Sequence, residues 1–153
     1  MDIQKVEITS DSAEKTFEIG SKIGSSLEPG NIVCLVGPLG SGKTTLVKGI
    51  AAGAGSAKPN LVNSPSYVII NEYQGRFNIF HIDAYRINTI AEFESLGFED
   101  ILGPDSVVLI EWADKVSSSL SGLECIHIEM QHNGPSSRVI RVLGLKNTQI
   151  LSF

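Results

Sequence analysis

Read for apolar and polar positions, the 153-residue chain divides into short strand-like and helix-like segments. Residues 3–8 read as a strand. Asp11, with Glu14 three residues on, has the form of a capping box, and the helix it opens carries Ala13, Phe17, Ile23 and Leu27 inward until Pro29-Gly30 stops it. Residues 32–36, Ile-Val-Cys-Leu-Val, are apolar on both faces, as a central parallel strand covered by helices on both sides would be. After Lys43, the residues Leu46, Val47, Ile50, Ala51 and Ala54 recur at helical spacing, and the pattern ends among Gly53 and Gly55. Residues 56–66 are polar, hold two prolines and predict a loop.

Residues 67–73 and 77–82 are strand-like, and Gln74-Gly75-Arg76 between them is short enough for a hairpin. A helix over 90–96, a buried strand over 107–110 and a short helix over 113–120 follow. Ile126, Ile128 and Met130 then alternate with His127, Glu129 and Gln131, and Asn133-Gly134-Pro135 turns the chain into residues 139–143, a hairpin with one wet face. Strands and helices interleave without repeat or linker. The expectation is one domain over residues 1–153, an α/β three-layer sandwich whose mixed sheet is parallel at its centre and carries antiparallel hairpins.

Composition narrows this picture. A hydrophobic content of 42% in 153 residues supports one good core and is short for two. The first five residues are charged where a signal peptide needs an apolar stretch, and no run approaches the roughly 18 apolar residues of a membrane span. A soluble, cytoplasmic protein with no membrane partner is expected. Cys34 and Cys125 each sit in apolar, strand-like surroundings and read as small buried hydrophobes rather than a disulfide or metal pair. The net charge of -5 gives no general attraction to a polyanion, so any contact with RNA is expected to be indirect.

The stretch Gly-Pro-Leu-Gly-Ser-Gly-Lys-Thr-Thr, residues 37–45, fits the phosphate-binding pattern G-x-x-x-x-G-K-[ST], and it stands where that pattern has meaning, after an apolar strand and before a helix. Gly40, Ser41 and Gly42 let the backbone curl so that successive N–H groups face one concave site, and the positive end of the following helix adds to it. Gly37, Leu39 and Thr45 complete the cradle. Lys43 supplies a charge that reaches the β- and γ-phosphates, and the Thr44 hydroxyl can bind the Mg²⁺ that bridges them. The sandwich is therefore expected to be that of a P-loop NTPase.

Such a site also needs acids at the ends of neighbouring strands. Asp83, in His-Ile-Asp-Ala-Tyr-Arg, and Glu111, in Leu-Ile-Glu-Trp, both follow apolar strand segments. Asp83 has the alternative of a turn cap or a partner for Arg86. His81 reads as a packing or orienting residue. Residues 63–67, Asn-Ser-Pro-Ser-Tyr, occupy a place where a γ-phosphate sensor could lie, with a plain loop as the alternative. The guanine-reading pattern N-K-x-D is absent, which leaves ATP as the expected nucleotide.

Taken in order, Gly-Pro-Leu-Gly-Ser-Gly-Lys-Thr-Thr, Asn-Ser-Pro-Ser-Tyr-Val-Ile-Ile-Asn-Glu-Tyr, His-Ile-Asp-Ala-Tyr-Arg and Leu-Ile-Glu-Trp-Ala-Asp-Lys-Val resemble the TsaE (YjeE) family of tRNA threonylcarbamoyladenosine biosynthesis ATPases. The resemblance spans nearly the whole chain. It implies a weak intrinsic ATPase that assembles with the TsaB and TsaD proteins and, by turning over ATP, resets the complex that modifies tRNA. By position it implies that Thr44 and Glu111 serve Mg²⁺, that Asp83 supports hydrolysis, that Trp112 flanks the site, and that Asp114 and Lys115 lie near the base. Pro38 stands where the family commonly has aspartate, so any role of an acid there is lost. Ser66 stands in place of a threonine and keeps its hydroxyl. Two rival readings use the same cradle: a small-molecule or nucleotide kinase, and a nucleotide-gated binding module without useful turnover.

Overall fold

The computed structural model describes residues 4–38, 40–57 and 70–153. Among these, the strands β1 (Lys5–Ser10), β2 (Ile32–Val36), β3 (Ile70–Gln74), β4 (Asn78–Asp83), β5 (Ser106–Glu111), β6 (Ile126–His132) and β7 (Arg138–Leu143) form one sheet in the order β1-β7-β6-β2-β5-β4-β3. The central neighbours β6, β2, β5 and β4 run parallel, while β1 with β7, β6 with β7, and β3 with β4 are antiparallel. This is the parallel centre with antiparallel hairpins that the apolar pattern predicts. The helices are α1 (Ala13–Ser26), α2 (Lys43–Gly53), α3 (Ile90–Ser95) and α4 (Phe98–Ile101), with 3₁₀ segments at Ala113–Leu120 and Thr148–Leu151.

Strand alternation divides the core into two layers. Val33, Leu35, Val107, Leu109 and Ile128 face α1 and α2, where they meet Ile19, Ile23, Leu46 and Ile50. Ile32, Cys34, Val108 and Ile110 face the other way and meet Phe93, Phe98, Val116 and Leu120. A strand apolar on both faces is thus explained by a helical layer on each. Both cysteines are free; Cys34 is buried and Cys125 is half-buried, and burial pushes both thiols up. No helix among the described residues is long and apolar enough to cross a membrane.

The structure corrects the start of α1. Its N-cap is Ser12, not Asp11, with Ser12 Oγ accepting from the backbone N–H of Lys15 at 3.0 Å. Ala13 is exposed and Phe17 half-buried; Thr16, Ile19, Gly20, Ile23 and Gly24 are the buried face. The phase follows from how α1 meets α2. A Cβ on Gly20 would lie 2.4 Å from the carbonyl oxygen of Leu46, one on Gly24 2.0 Å from that of Ile50, one on Gly49 2.2 Å from that of Phe17, and one on Gly53 1.9 Å from that of Ser21. The two helices touch backbone to backbone. Glycine carries no weight in a hydrophobic pattern, so Ala13 and Phe17 do not lie fully inward as read, while Ile23 and Leu27 do.

Arg76, in the β3–β4 turn, ties the far ends of this pair together. Its Nη1 donates to Gly53 O at 2.7 Å and its Nη2 to Gly24 O at 3.0 Å, so one guanidinium serves the carbonyl ends of both helices, neither of which has a basic residue in its last turn. Other differences are smaller. β1 begins two residues later than the pattern predicts, α4 and the 148–151 turn were not foreseen, and β3 is described from Ile70 onward.

Candidate functional site

β2 delivers the chain to residue 37 and α2 receives it at Lys43. Between them Gly40 (φ 76°) and Gly42 (φ 99°) adopt left-handed backbone that side-chain-bearing residues resist, which is why the turn needs glycine there. Gly42 is the N-cap of α2 and offers no side chain, so no side-chain cap is bonded to the first-turn N–H groups. Thr44 and Thr45 lie half-buried in that first turn. Ser41 Oγ is buried and has no hydrogen-bond partner among the described residues. Leu39 and the Asn-Ser-Pro-Ser-Tyr segment lie outside the described residues.

A residue from the distant β6–β7 hairpin holds the turn from outside. Arg138 Nε donates to Ser41 O at 3.1 Å and its Nη2 to Gly40 O at 3.4 Å. Of the amides in the same two peptides, that of Ser41 donates to Pro38 O at 3.1 Å and closes the turn, while that of Gly42 lies opposite the gripped Ser41 carbonyl. Nothing in the sequence links Arg138 to residues almost a hundred positions earlier.

The acids arrive by register. Asp83 and Glu111 are direct partners across the parallel β4–β5 pair, at the carboxyl ends of both strands. Glu111 shares the parity of Val107 and Leu109, and Asp83 that of Ile79, so both carboxylates belong to the α2 side of the sheet. Glu111 is nearly buried, and its Oε2 lies 2.6 Å from Nε2 of fully buried His81. His81 Nδ1 in turn lies 3.1 Å from the Tyr73 hydroxyl. Asp83 is half-buried, and its Oδ1 accepts from the Tyr85 backbone N–H at 2.9 Å, the turn-cap geometry held open as an alternative above.

Lys43 joins these parts. Lys43 is 6% exposed, and its ammonium donates to Gly37 O at 2.5 Å and Pro38 O at 3.0 Å and lies 4.3 Å from the centre of the Trp112 ring. Burial lowers its pKa, opposed by the negative charges of Glu111, Asp83 and Asp114. Trp112 is the one non-glycine residue with positive φ among the described residues (59°), a strained backbone directly after Glu111. Its ring packs against Tyr85 with centroids 5.0 Å apart.

Asp114 and Trp112, with Val36, Pro38, Glu129 and Gln131, line a cleft of about 240 Å³ beside the turn. Lys115 is not brought there; its ammonium donates to the carbonyl of Tyr85 and lies over the Tyr85 ring. Among the described residues no cluster of three or more His, Cys, Asp or Glu could hold a metal ion by itself.

Comparison with known proteins supplies the frame for this geometry. The family model for the threonylcarbamoyl adenosine biosynthesis protein TsaE matches residues 10–140. The chain belongs to the TsaE family. The TsaE protein of Bacillus subtilis is 35% identical over 135 residues, covering 88% of this chain and 82% of that one. That of Treponema pallidum is 36% identical over 109 residues, 71% of this chain and 79% of its own. The crystal structure of YdiB from Bacillus subtilis superposes with a TM-score of 0.73 at 28% identity, over 96% of this chain and 90% of that one. The TsaE match takes in residues 37–45, His81, Asp83, Glu111 and Trp112, and reaches Arg138. The sequence reading singled out residues 37–45, Asp83 and Glu111, and gave His81 a packing or orienting role, but pointed neither to the Arg138 latch nor to Tyr73 and Glu111 as the partners of His81. For the latter, the alternation that places His81 and Glu111 on one face was the available signal.

Proposed function

We propose that this member of the TsaE family binds MgATP in the 37–45 cradle and hydrolyses it, slowly alone and faster with a complex of the TsaB and TsaD proteins, in support of threonylcarbamoyladenosine formation on tRNA. The observation that carries the reading is the convergence of Lys43, at the N-terminus of α2, with Asp83 and Glu111 in register on adjacent parallel strands. Uncapped helix N–H groups and a nearly buried ammonium suit a polyphosphate. The orphaned Ser41 hydroxyl lies within the same turn.

The donor set fits magnesium. Mg²⁺ is ordinarily held by one or two carboxylates or hydroxyls together with the nucleotide's own phosphates, not by an all-protein cage, and hydroxyl and carboxylate oxygens are what Thr44 and Glu111 offer. When bound, the ion would neutralise charge that builds on the phosphate oxygens. Lys43 exchanges its bonds to Gly37 O and Pro38 O for phosphate oxygens. Asp83, the more exposed acid, orients the attacking water and takes its proton as the γ-phosphoryl group passes to it, leaving ADP and inorganic phosphate. Trp112 flanks the site beside Lys43, and the Asp114 and Lys115 segment lies toward the base, with Asp114 lining the cleft and Lys115 supporting the segment through Tyr85. tRNA is contacted through the partners only.

Three of the four arginines weigh against the kinase alternative, which needs several around the transferred group. Arg76 clamps the far ends of α1 and α2, Arg141 pairs with Glu7 and Glu129, and Arg138 is engaged with the cradle backbone. The test is phosphate release from MgATP by the protein alone, with TsaB and TsaD, and with candidate small-molecule acceptors. Stimulation by the protein partners is expected; a phosphorylated metabolite without any response to the partners would assign the kinase activity instead.

A further inference from the structure

Among the described residues, His81 is the one fully buried ionisable side chain beside the site to which the proposed chemistry gives no part. We infer that His81 is a positioning residue for Glu111: its Nε2–H holds Oε2 of the carboxylate, so that Oε1 is the oxygen left to face Lys43 and a bound metal, and the Tyr73 hydroxyl fixes the tautomer that makes this possible. The inference rests on the role proposed for Glu111.

The donor and acceptor inventory decides the direction of each bond. An ionised carboxylate only accepts, so at 2.6 Å the proton between His81 and Glu111 belongs to Nε2. A neutral imidazole with its proton on Nε2 has a bare Nδ1, which must accept, and the Tyr73 hydroxyl at 3.1 Å is the donor that meets it. Both bonds are then made with a single charge, that of Glu111. The reverse tautomer satisfies the same distances only if Glu111 carries a proton and donates it to Nε2, and a protonated Glu111 is a poor metal ligand. Register makes the arrangement possible: Tyr73 lies opposite Ile79 on β3–β4, one step of the same face away from His81, and His81 precedes Asp83 on that face.

A group that orients a ligand from outside acts by limiting the ligand's rotation, and its loss typically costs roughly ten- to a hundred-fold in metal affinity. Shape distinguishes this role from simple packing. Glutamine can place an N–H near the position of Nε2, whereas asparagine reaches only as far as Nδ1. His81→Asn is thus expected to raise the magnesium concentration needed for tight ATP binding by about ten-fold, with binding of metal-free ATP kept, and His81→Gln to recover most of that loss.

The experiment combines two readouts on the full chain. Long-range proton–nitrogen correlation on ¹⁵N-histidine protein without nucleotide, with the His81 signals identified by their loss in His81→Gln, is expected to show a protonated Nε2 and a bare Nδ1. Calorimetric titration of ATP with and without magnesium then ranks the two variants. A proton on Nδ1 with Nε2 bare would overturn the inference, as would equal loss in both variants that extends to metal-free ATP. Glu111→Gln run alongside separates this from failure of the site itself: it changes the magnesium requirement if Glu111 serves the metal, whatever His81 does.

Discussion

A lysine only 6% exposed carries a desolvation cost, and Lys43 bears it at the point where a phosphate would relieve it. Because burial lowers the folded pKa below its ordinary 10.5, the unfolded chain binds the proton more strongly between those two values. Stability of the nucleotide-free protein therefore rises with pH through that window and is least below it, where Lys43 is charged in both states. Lys43→Met removes the burden. Thermal unfolding without nucleotide should find the variant more stable by about 1 kcal/mol at neutral pH, with the advantage shrinking toward pH 10.5; a less stable variant would mean that the bonds to Gly37 O and Pro38 O outweigh burial. The two acids differ at the same scale. Glu111, nearly buried and held by His81, suits a fixed ligand, and Asp83, half-buried, suits exchange with water. Glu111→Gln should raise the half-saturating magnesium concentration by about ten-fold, and Asp83→Asn should lower turnover by about a hundred-fold with MgATP binding kept. Steady-state kinetics across a magnesium series checks both, and the opposite pattern would exchange their roles.

At the level of elements, the α1–α2 contact sets where the cradle's helix lies, and four glycines make it. Alanine at Gly49 would gain about 1 kcal/mol of helix propensity, yet its methyl would meet the Phe17 carbonyl at 2.2 Å. Backbone cannot swing aside as a side chain can, so Gly49→Ala should cost a net 2–3 kcal/mol or so in denaturant unfolding. An unchanged midpoint would show that α1 can shift freely. This contact also marks how far the sequence could be read. The apolar runs of β2 and β5, the alternation in β6 and the turn residues before β7 were legible because side-chain burial wrote them. The phase of α1 was not, since the atoms that set it are backbone and the residues that allow it have no side chain. The cap moved from Asp11 to Ser12 for a related reason: adjacent residues both have capping side chains, and pairing of β1 through Ser10 with Arg138 decides which of them the helix meets.

Across the whole molecule, the site is assembled from four parts of the chain: the turn after β2, the ends of β4 and β5, and the start of β7. The first three were foreseeable, because the carboxyl ends of parallel strands in an open α/β sheet are where ligands gather, and a glycine-rich turn with an acid after each of two apolar runs marks them. Arg138 was not, since its place depends on β7 folding back beside β6, which brings its guanidinium behind Gly40 and Ser41. The proposed function requires that the 37–45 turn be a polyphosphate cradle with Lys43 as its charge. Calorimetric titration of MgATP into the isolated protein and into Lys43→Ala tests this most directly. The account predicts saturable binding of one nucleotide per chain, weakened at least about ten-fold in the variant; equal affinity in the two proteins would contradict it.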